Sequence, residues 1–217
     1  SKARDKARSI QCTSNIKQLS LALNLYLDDN HDYCVQAYLD SSYNRSWCGT
    51  RSGSGSPWEP RGGLMDYLGR VDSIKTCPLL PRDSSGYDAG NGGYGYNVTY
   101  LGGGNGYPVN NSALLTLIRQ PGATLAFADS AASLDAVTMV NSYSIMPPST
   151  DWGESTPDMH FRHGGQVTAA WVDGHVSKEK LQFSLSGYSG RNSAINLSLY
   201  LGWFGDRSRG NYLFDLE

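Results

Sequence analysis

The fold is decided by the stretch from Lys2 to Asp29, which reads KARDKARSIQCTSNIKQLSLALNLYLDD and contains neither Gly nor Pro. Its apolar side chains recur every three or four residues, the spacing of one face of an α-helix. That stripe consists of Ile16, Leu19, Leu23, Tyr26 and Leu27, with Cys12 one turn earlier. The polar run at 28–32 then ends the pattern. We therefore predict one amphipathic helix of about 25 residues, whose apolar stripe packs on the rest of the chain.

The beginning of this stretch carries the wrong charge for a natural helix start. Four cations, Lys2, Arg4, Lys6 and Arg8, stand against the single acid Asp5. A helix N-terminus has a partial positive charge and favours acidic side chains. The pattern fits a helix that continues upstream, with a basic segment following a membrane span. A frayed, solvated terminus is the alternative.

Length and charge limit the classes of protein to which this chain can belong. The 217 residues suit one domain, and the formal net charge is only −2. Such a balance lacks the basic footprint of a nucleic-acid binder, so we expect no nucleic-acid partner. No run of about 20 apolar residues is present that would span a membrane. Apolar residues make up 39%, and Gly (25) and Tyr (14) are abundant, which indicates a loop-rich, β-leaning domain.

Two apolar runs in the second half predict the centre of a β-sheet. Residues 124–128 read TLAFA and end in Asp129, which is typical of a buried strand. Residues 166–172 form a second run and end in Asp173-Gly174. An Asp-Gly pair between β-compatible runs is a strong hairpin signal, because both turn positions would take positive φ. A further strand is expected within 136–145, and 196–204 fits a helix or a strand.

Nine residues separate His163 from Asp173-Gly174 in RHGGQVTAAWVDGHV. In this spacing the chain resembles the prepilin-type proteins that carry an H-x9-DG domain. The N-terminal stretch resembles the same proteins, which are related to type IV pilins and to type II secretion pseudopilins, the major G type included. Further matching pieces are Cys77-Pro78, YGYN at 94–97 and FADS at 127–130. Together they make up roughly a third of the chain and lie in family order.

The resemblance implies an α+β, pilin-like fold, with a long N-terminal helix packed on an antiparallel sheet and long Gly/Tyr-rich loops. Residues 1–30 would be the C-terminal half of the pilin-type helix without its apolar half, and 31–217 a β-rich head, forming one structural domain. The implied function is that of a structural subunit, and not an enzyme, in a bacterial secretion or pilus-like assembly. Its partners would be other pilin-like subunits. A missing N-terminal segment would anchor it in the inner membrane, with a periplasmic or extracellular head, while the present stretch is soluble.

Separate structural roles are expected for His163 and Asp173. Even if the chain turns at Gly164-Gly165, the strand from 166 to 173 is more than about 20 Å long. The side chains of His163 and Asp173 therefore cannot share one ligand. We predict that Asp173 and Gly174 form the turn and that His163 fixes the strand's entrance. If 124–128 runs antiparallel to 166–172, Asp129 lies near His163 and pairs with it.

Metal binding at Asp129 and His163 is the competing interpretation, and it lacks further ligands that the sequence can name. Calcium, which some pseudopilins bind, needs six or more oxygen ligands. No D-x-D-x-D loop is present, so we expect no cofactor, with calcium left as the alternative.

The cysteines and the aromatic residues leave two questions open. Cys12, Cys34, Cys48 and Cys77 form no C-x-x-C pair, and both disulfides and buried thiols fit their spacing. Tyr and Trp clusters in polar loops suit either stacking on sugars or packing over the protein's own backbone. The six residues concerned are Trp47, Trp58, Tyr87, Tyr94, Tyr96 and Tyr100. The alternative function is therefore a surface-anchored module that binds carbohydrate or protein.

Overall fold

A computed structural model describes residues 2–39, 42–53, 55–80, 89–103, 112–133, 138–187 and 192–217. It contains two α-helices, α1 (Lys2–Asp29) and α2 (Ser193–Ser198), and short 3-10 turns at Gly63–Asp66, Asp72–Lys75, Leu115–Leu117 and Arg207–Arg209. The strands are β1 (Arg45–Ser46), β2 (Gly49–Thr50), β3 (Tyr94–Asn97), β4 (Leu125–Asp129), β5 (Ala132–Ser133), β6 (Met139–Val140), β7 (Ser144–Ile145), β8 (Ser149–Thr150), β9 (Gly153–Glu154), β10 (Gln166–Trp171) and β11 (Val176–Lys180).

Helix α1 confirms the amphipathic pattern. Of the predicted stripe, Ile16, Leu19, Leu23 and Leu27 are buried, and Tyr26 is half-buried against the same core. The stripe lies on β10 and β4. A helix of 28 residues gains most of its stability from such packing, because its intrinsic propensity alone contributes little. Within the described residues, no helix combines the length and the apolar character needed to cross a membrane.

The central sheet has five strands in the order β11-β10-β4-β3-β7. Every neighbouring pair is antiparallel except β3 with β7. The fold is therefore α+β, with a long helix on a mainly antiparallel sheet, as expected. The predicted antiparallel pairing of 124–128 with 166–172 is confirmed, and Ala128 lies opposite Ala169.

Both faces of this sheet are covered. Phe127 and Ala170 belong to the core under α1, together with Trp47 and Trp58. On the opposite face, Val167, Ala169 and Trp171 of β10 pack with a C-terminal cluster that includes Trp203, Phe204 and Phe214. The C-terminal segment is held there by backbone hydrogen bonds, such as that from Leu125 N to Leu213 O at 2.7 Å. Because both faces are buried at β4 and β10, the sequences of these two strands are almost continuously apolar rather than alternating.

The hairpin at Asp173-Gly174 is present, but its turn differs from the predicted one. Only Gly174 has a positive φ, 91°. Gly174 N donates to Trp171 O, and Trp171 N donates to His175 O, which is the pattern of a three-residue loop with a bulge at its last residue. Such a loop needs a positive φ at the glycine alone, so Asp173 keeps an ordinary backbone conformation.

The aromatic residues of the polar loops lie inside the protein, which favours packing over stacking on sugars. Trp47, Trp58, Tyr94 and Tyr96 are at most 2% exposed, and Tyr100 is half-buried. Tyr87 lies outside the described residues. The loops around these rings fold over them, so these side chains fill the core and offer no platform for a sugar.

Two ambiguous segments are settled by the fold. In the described part of 136–145, the chain forms the short strands β6 and β7 rather than one strand. The 196–204 segment begins inside α2, and Leu201 and Trp203 then form isolated bridges to other loops.

Candidate functional site

Asp129, the last residue of β4, is the centre of a buried polar cluster. Its carboxylate has no exposed surface and accepts a hydrogen bond from Thr168 N of β10 at 2.7 Å. The guanidinium of Arg162 donates to the same carboxylate at 3.2 Å, and that side chain is only 4% exposed. A buried carboxylate is tolerated only when its charge is paired and its oxygens are hydrogen-bonded, and both conditions hold here.

His163 completes the pairing around this carboxylate. Its Nε2 lies 3.3 Å from Asp129, and its side chain is 1% exposed. The chain turns at Gly164 and Gly165, which both have positive φ, and His163 N donates to Gln166 O at 3.1 Å. The turn carries His163 back over the end of the sheet, where the antiparallel pairing of β10 with β4 has placed Asp129.

Two cysteines meet beside this pair. Cys12 comes from α1, and Cys77 follows the 3-10 turn Asp72–Lys75; their Sγ atoms lie 2.8 Å apart, and both residues are fully buried. The backbone of Cys77 is fixed by a hydrogen bond from its N–H to Gly92 O at 2.7 Å. The side-chain amide of Asn15 donates to Thr76 O and to the hydroxyl of Tyr94, which holds α1 against the loop that carries Cys77.

The groups of the cluster shift one another's pKa values. The hydrogen bond from Cys12, together with His163 and Arg162, lowers the pKa of Cys77 to about 5 against the effect of burial. The same sulfur–sulfur contact and burial raise the pKa of Cys12. Burial would lower the pKa of His163, but hydrogen bonds to Asp129 and Cys77 raise it to about 9.

Asp129 itself stays ionised. Burial acts to raise its pKa, and the positive charges of Arg162 and His163 outweigh that effect, so the pKa lies below its ordinary value. Among the described residues, the cluster thus brings two cations, Arg162 and His163, to one buried carboxylate.

An open cleft leads to the edge of the cluster. It has a volume of about 420 Å³ and lies between the first turns of α1 and the 162–166 turn, with Asp5, Lys6 and Lys178 at its rim. Arg162 and His163 line its inner wall, whereas neither cysteine does. Within the described part of the chain, both cysteines are fully buried.

A metal is the first ligand to consider for this cluster. One ligand atom from each of Cys12, Cys77, Asp129 and His163 lies within 4.8 Å of the others. Two sulfurs, an imidazole and a carboxylate are zinc donors, whereas calcium prefers oxygen alone. The donor types therefore disfavour the calcium alternative at this position, and Asp173 takes no part in the set.

The other end of the H-x9-DG spacing is built differently. Asp173 accepts hydrogen bonds from His175 N at 3.0 Å and from the His175 ring at 2.7 Å, and both side chains are more than 40% exposed. Lys17 of α1 donates to Gly174 O at 2.5 Å. His163 and Asp173 thus lie at opposite ends of β10, with the separate surroundings that the strand length requires.

Sequence reasoning named Asp129 and His163 but missed Cys12, Cys77 and Arg162 as their neighbours. Cys12 lies one turn before Ile16 on the inward stripe, and this position indicated that its side chain is buried. No spacing links it to Cys77, which is 65 residues away. Only the docking of α1 on the sheet brings the two together.

Comparison with known proteins gives one match. A family model described as "Protein of unknown function (DUF1559)" matches residues 1–73, about a third of the 217-residue chain. The matched part contains α1 and Cys12 but ends before Cys77. No curated protein and no solved structure matches this chain.

Proposed function

We propose that the chain is the head, with the lower part of the helix, of a pseudopilin-like structural subunit that works by assembly and not by catalysis. Support comes from the fold, a long helix laid on a mainly antiparallel sheet, and from the DUF1559 match, which covers that helix. The H-x9-DG spacing is a further point of resemblance. On this proposal the subunit is anchored in the inner membrane through a segment upstream of Ser1, and its head lies in the periplasm or outside the cell.

The outer face of α1 is the observation that carries this proposal. Ile10, Leu21 and Leu25 are 61%, 57% and 44% exposed, although they are large and apolar. At about 100° per residue, the three side chains lie within about 60° of one another around the helix, opposite the buried stripe. An apolar line on an otherwise polar face suits packing against the helices of neighbouring pilin-like subunits.

The alternative of a carbohydrate-binding module has lost its main support, since the aromatic rings that suggested it fill the core. A role in a type II secretion system, as opposed to a pilus-like assembly, rests on the resemblance alone. The cation-rich first turns, Lys2 to Arg8, fit a secretion system and a pilus-like assembly equally well, because both would place them beside a membrane surface.

The test uses the full-length gene product, in which the native codons upstream of Ser1 are retained. We expect those codons to encode about 20 apolar residues, the length of a membrane-spanning helix. Leu21→Arg and Leu25→Arg each place a charge in the proposed helix contact. Each should lower the assembled fraction, measured by sedimentation and electron microscopy, about tenfold, which corresponds to about 1.4 kcal/mol per contact.

Leu117→Arg is the matched control, because Leu117 is 60% exposed but belongs to the head. It should assemble like the unaltered protein. An upstream region without an apolar segment would refute the proposal, and so would helix variants that assemble as well as this control.

A further inference from the structure

We propose that Cys12 and Cys77 are the site of a disulfide that ties the N-terminal helix covalently to the head. The two sulfurs come from elements far apart in sequence, and they face each other at 2.8 Å in a fully buried position. This inference stands on the geometry of the cluster and does not depend on the proposed assembly function.

The contact between the sulfurs favours a disulfide over a metal site. Two thiolates bound tetrahedrally to one zinc ion, at about 2.3 Å each, lie about 3.8 Å apart. Here the sulfurs touch with no room for an ion between them. The oxygens of Asp129 are already occupied by Arg162, His163 and Thr168 N, so the carboxylate needs no further cation.

The oxidant is a small-molecule or protein disulfide. The thiolate of either Cys12 or Cys77 attacks one of its sulfurs, and the other sulfur leaves as a thiolate, which gives a mixed disulfide. The second cysteine then loses its proton and attacks the protein sulfur of that mixed disulfide, which forms the Cys12–Cys77 bond and releases the second thiol. Two electrons pass from the two cysteines to the oxidant, whose disulfide becomes two thiols. Both sulfurs are buried in the folded chain, so this exchange takes place before α1 docks on the sheet.

The test is refolding of the chain from denaturant in a glutathione redox buffer with equimolar Zn²⁺, and in parallel with a phosphine reductant. We expect the oxidised sample to contain a peptide linking Cys12 to Cys77, identified by mass spectrometry after proteolysis. Cross-links over 65 residues constrain the unfolded chain strongly. The reductant should therefore lower the melting temperature by roughly 10 °C.

Cys34→Ala and Cys48→Ala are the matched controls, because both cysteines are also fully or almost fully buried. Each control should keep the linked peptide and the effect of the reductant, whereas Cys12→Ala and Cys77→Ala should lose both. Two results would overturn the proposal, even if the cysteine variants fold poorly. One is an oxidised sample in which Cys12 and Cys77 remain free thiols without metal. The other is a sample that retains one zinc ion per chain on those free thiols.

Discussion

The two ends of strand β10 carry the two halves of the H-x9-DG spacing, and they are stabilised in opposite ways. At the His163 end, side chains from α1, β4 and two loops meet in a buried, hydrogen-bonded cluster around Asp129. At the Asp173 end, an exposed turn is closed by its own hydrogen bonds, Asp173 N donates to Pro121 O, and Lys17 of α1 donates to Gly174 O. The comparison shows that one short motif can combine a tertiary anchor with a local turn, each with its own energetics.

The largest expected effect lies at the buried end. Asp129→Ala removes the carboxylate that pairs with Arg162 and His163, and leaves two buried cations without a carboxylate partner. Breaking a buried ion pair in this way costs about 3–5 kcal/mol. We expect that loss in the free energy of unfolding, measured with urea at neutral pH. A variant that loses no more stability than Asp173→Ala would show that the two ends are equivalent.

Lowering the pH should remove the stabilisation that the Asp129 carboxylate contributes. The pKa of Asp129 is lower in the folded chain than in the unfolded one. Its contribution is therefore fully present above the unfolded value of about 3.9 and is lost as the pH falls through the folded value. The stability difference between the unaltered protein and Asp129→Asn should narrow below about pH 4, and a gap that widens there would contradict the assigned charge.

A smaller effect is expected from the glycines at the two turns. Gly174 has φ 91°, and a Cβ there would lie 3.2 Å from the side-chain nitrogen of Asn24 in α1. Gly174→Ala should lower the stability by about 1–3 kcal/mol. Gly164→Ala, at φ 68° with open space around the added carbon, should cost about 1 kcal/mol.

Thermal melts of the two glycine variants compare the turns directly. A Gly164 variant that melts below the Gly174 variant would reverse the expected order, and would place the tighter constraint at the His163 end.

The smallest effect should come from the exposed carboxylate. Asp173→Ala removes the acceptor for His175 N, whose hydrogen bond closes the turn. Water can replace much of this contact, so we expect a loss of about 1 kcal/mol or less in the free energy of unfolding. His175→Ala keeps the backbone hydrogen bond and removes only the ring contact, so it should cost less. If it costs as much as Asp173→Ala, the ring contact and not the backbone bond stabilises the turn.

Much of the architecture was predictable because it depends on local periodicity. The 3–4 spacing of Ile16, Leu19 and Leu23 specified a helix and its buried face without any knowledge of the head. The apolar runs before Asp129 and Asp173 specified two strands. The burial of the aromatics was not predictable, because loops rich in Gly and Ser have the same composition whether they expose a ring or enclose it.

The candidate site also contains residues that the sequence predicted and residues that it did not. Asp129 and His163 were expected to be neighbours because antiparallel pairing fixes which strand ends meet. Cys12 and Cys77 were not expected to meet, because no rule of spacing links residues on separate elements. Arg162 was missed for the same reason, since its value as a counter-ion depends on burial.

The sequence by itself determined the helix, its inward stripe and the two strands joined at Asp173-Gly174, because each follows from the repeat of side chains along one element. The tertiary structure alone decided that Cys12 of the helix lies against Cys77 and that both lie beside the Asp129–His163 pair. Contacts between distant elements depend on how helix and sheet dock, and docking is set by the packing of the whole core rather than by any one segment.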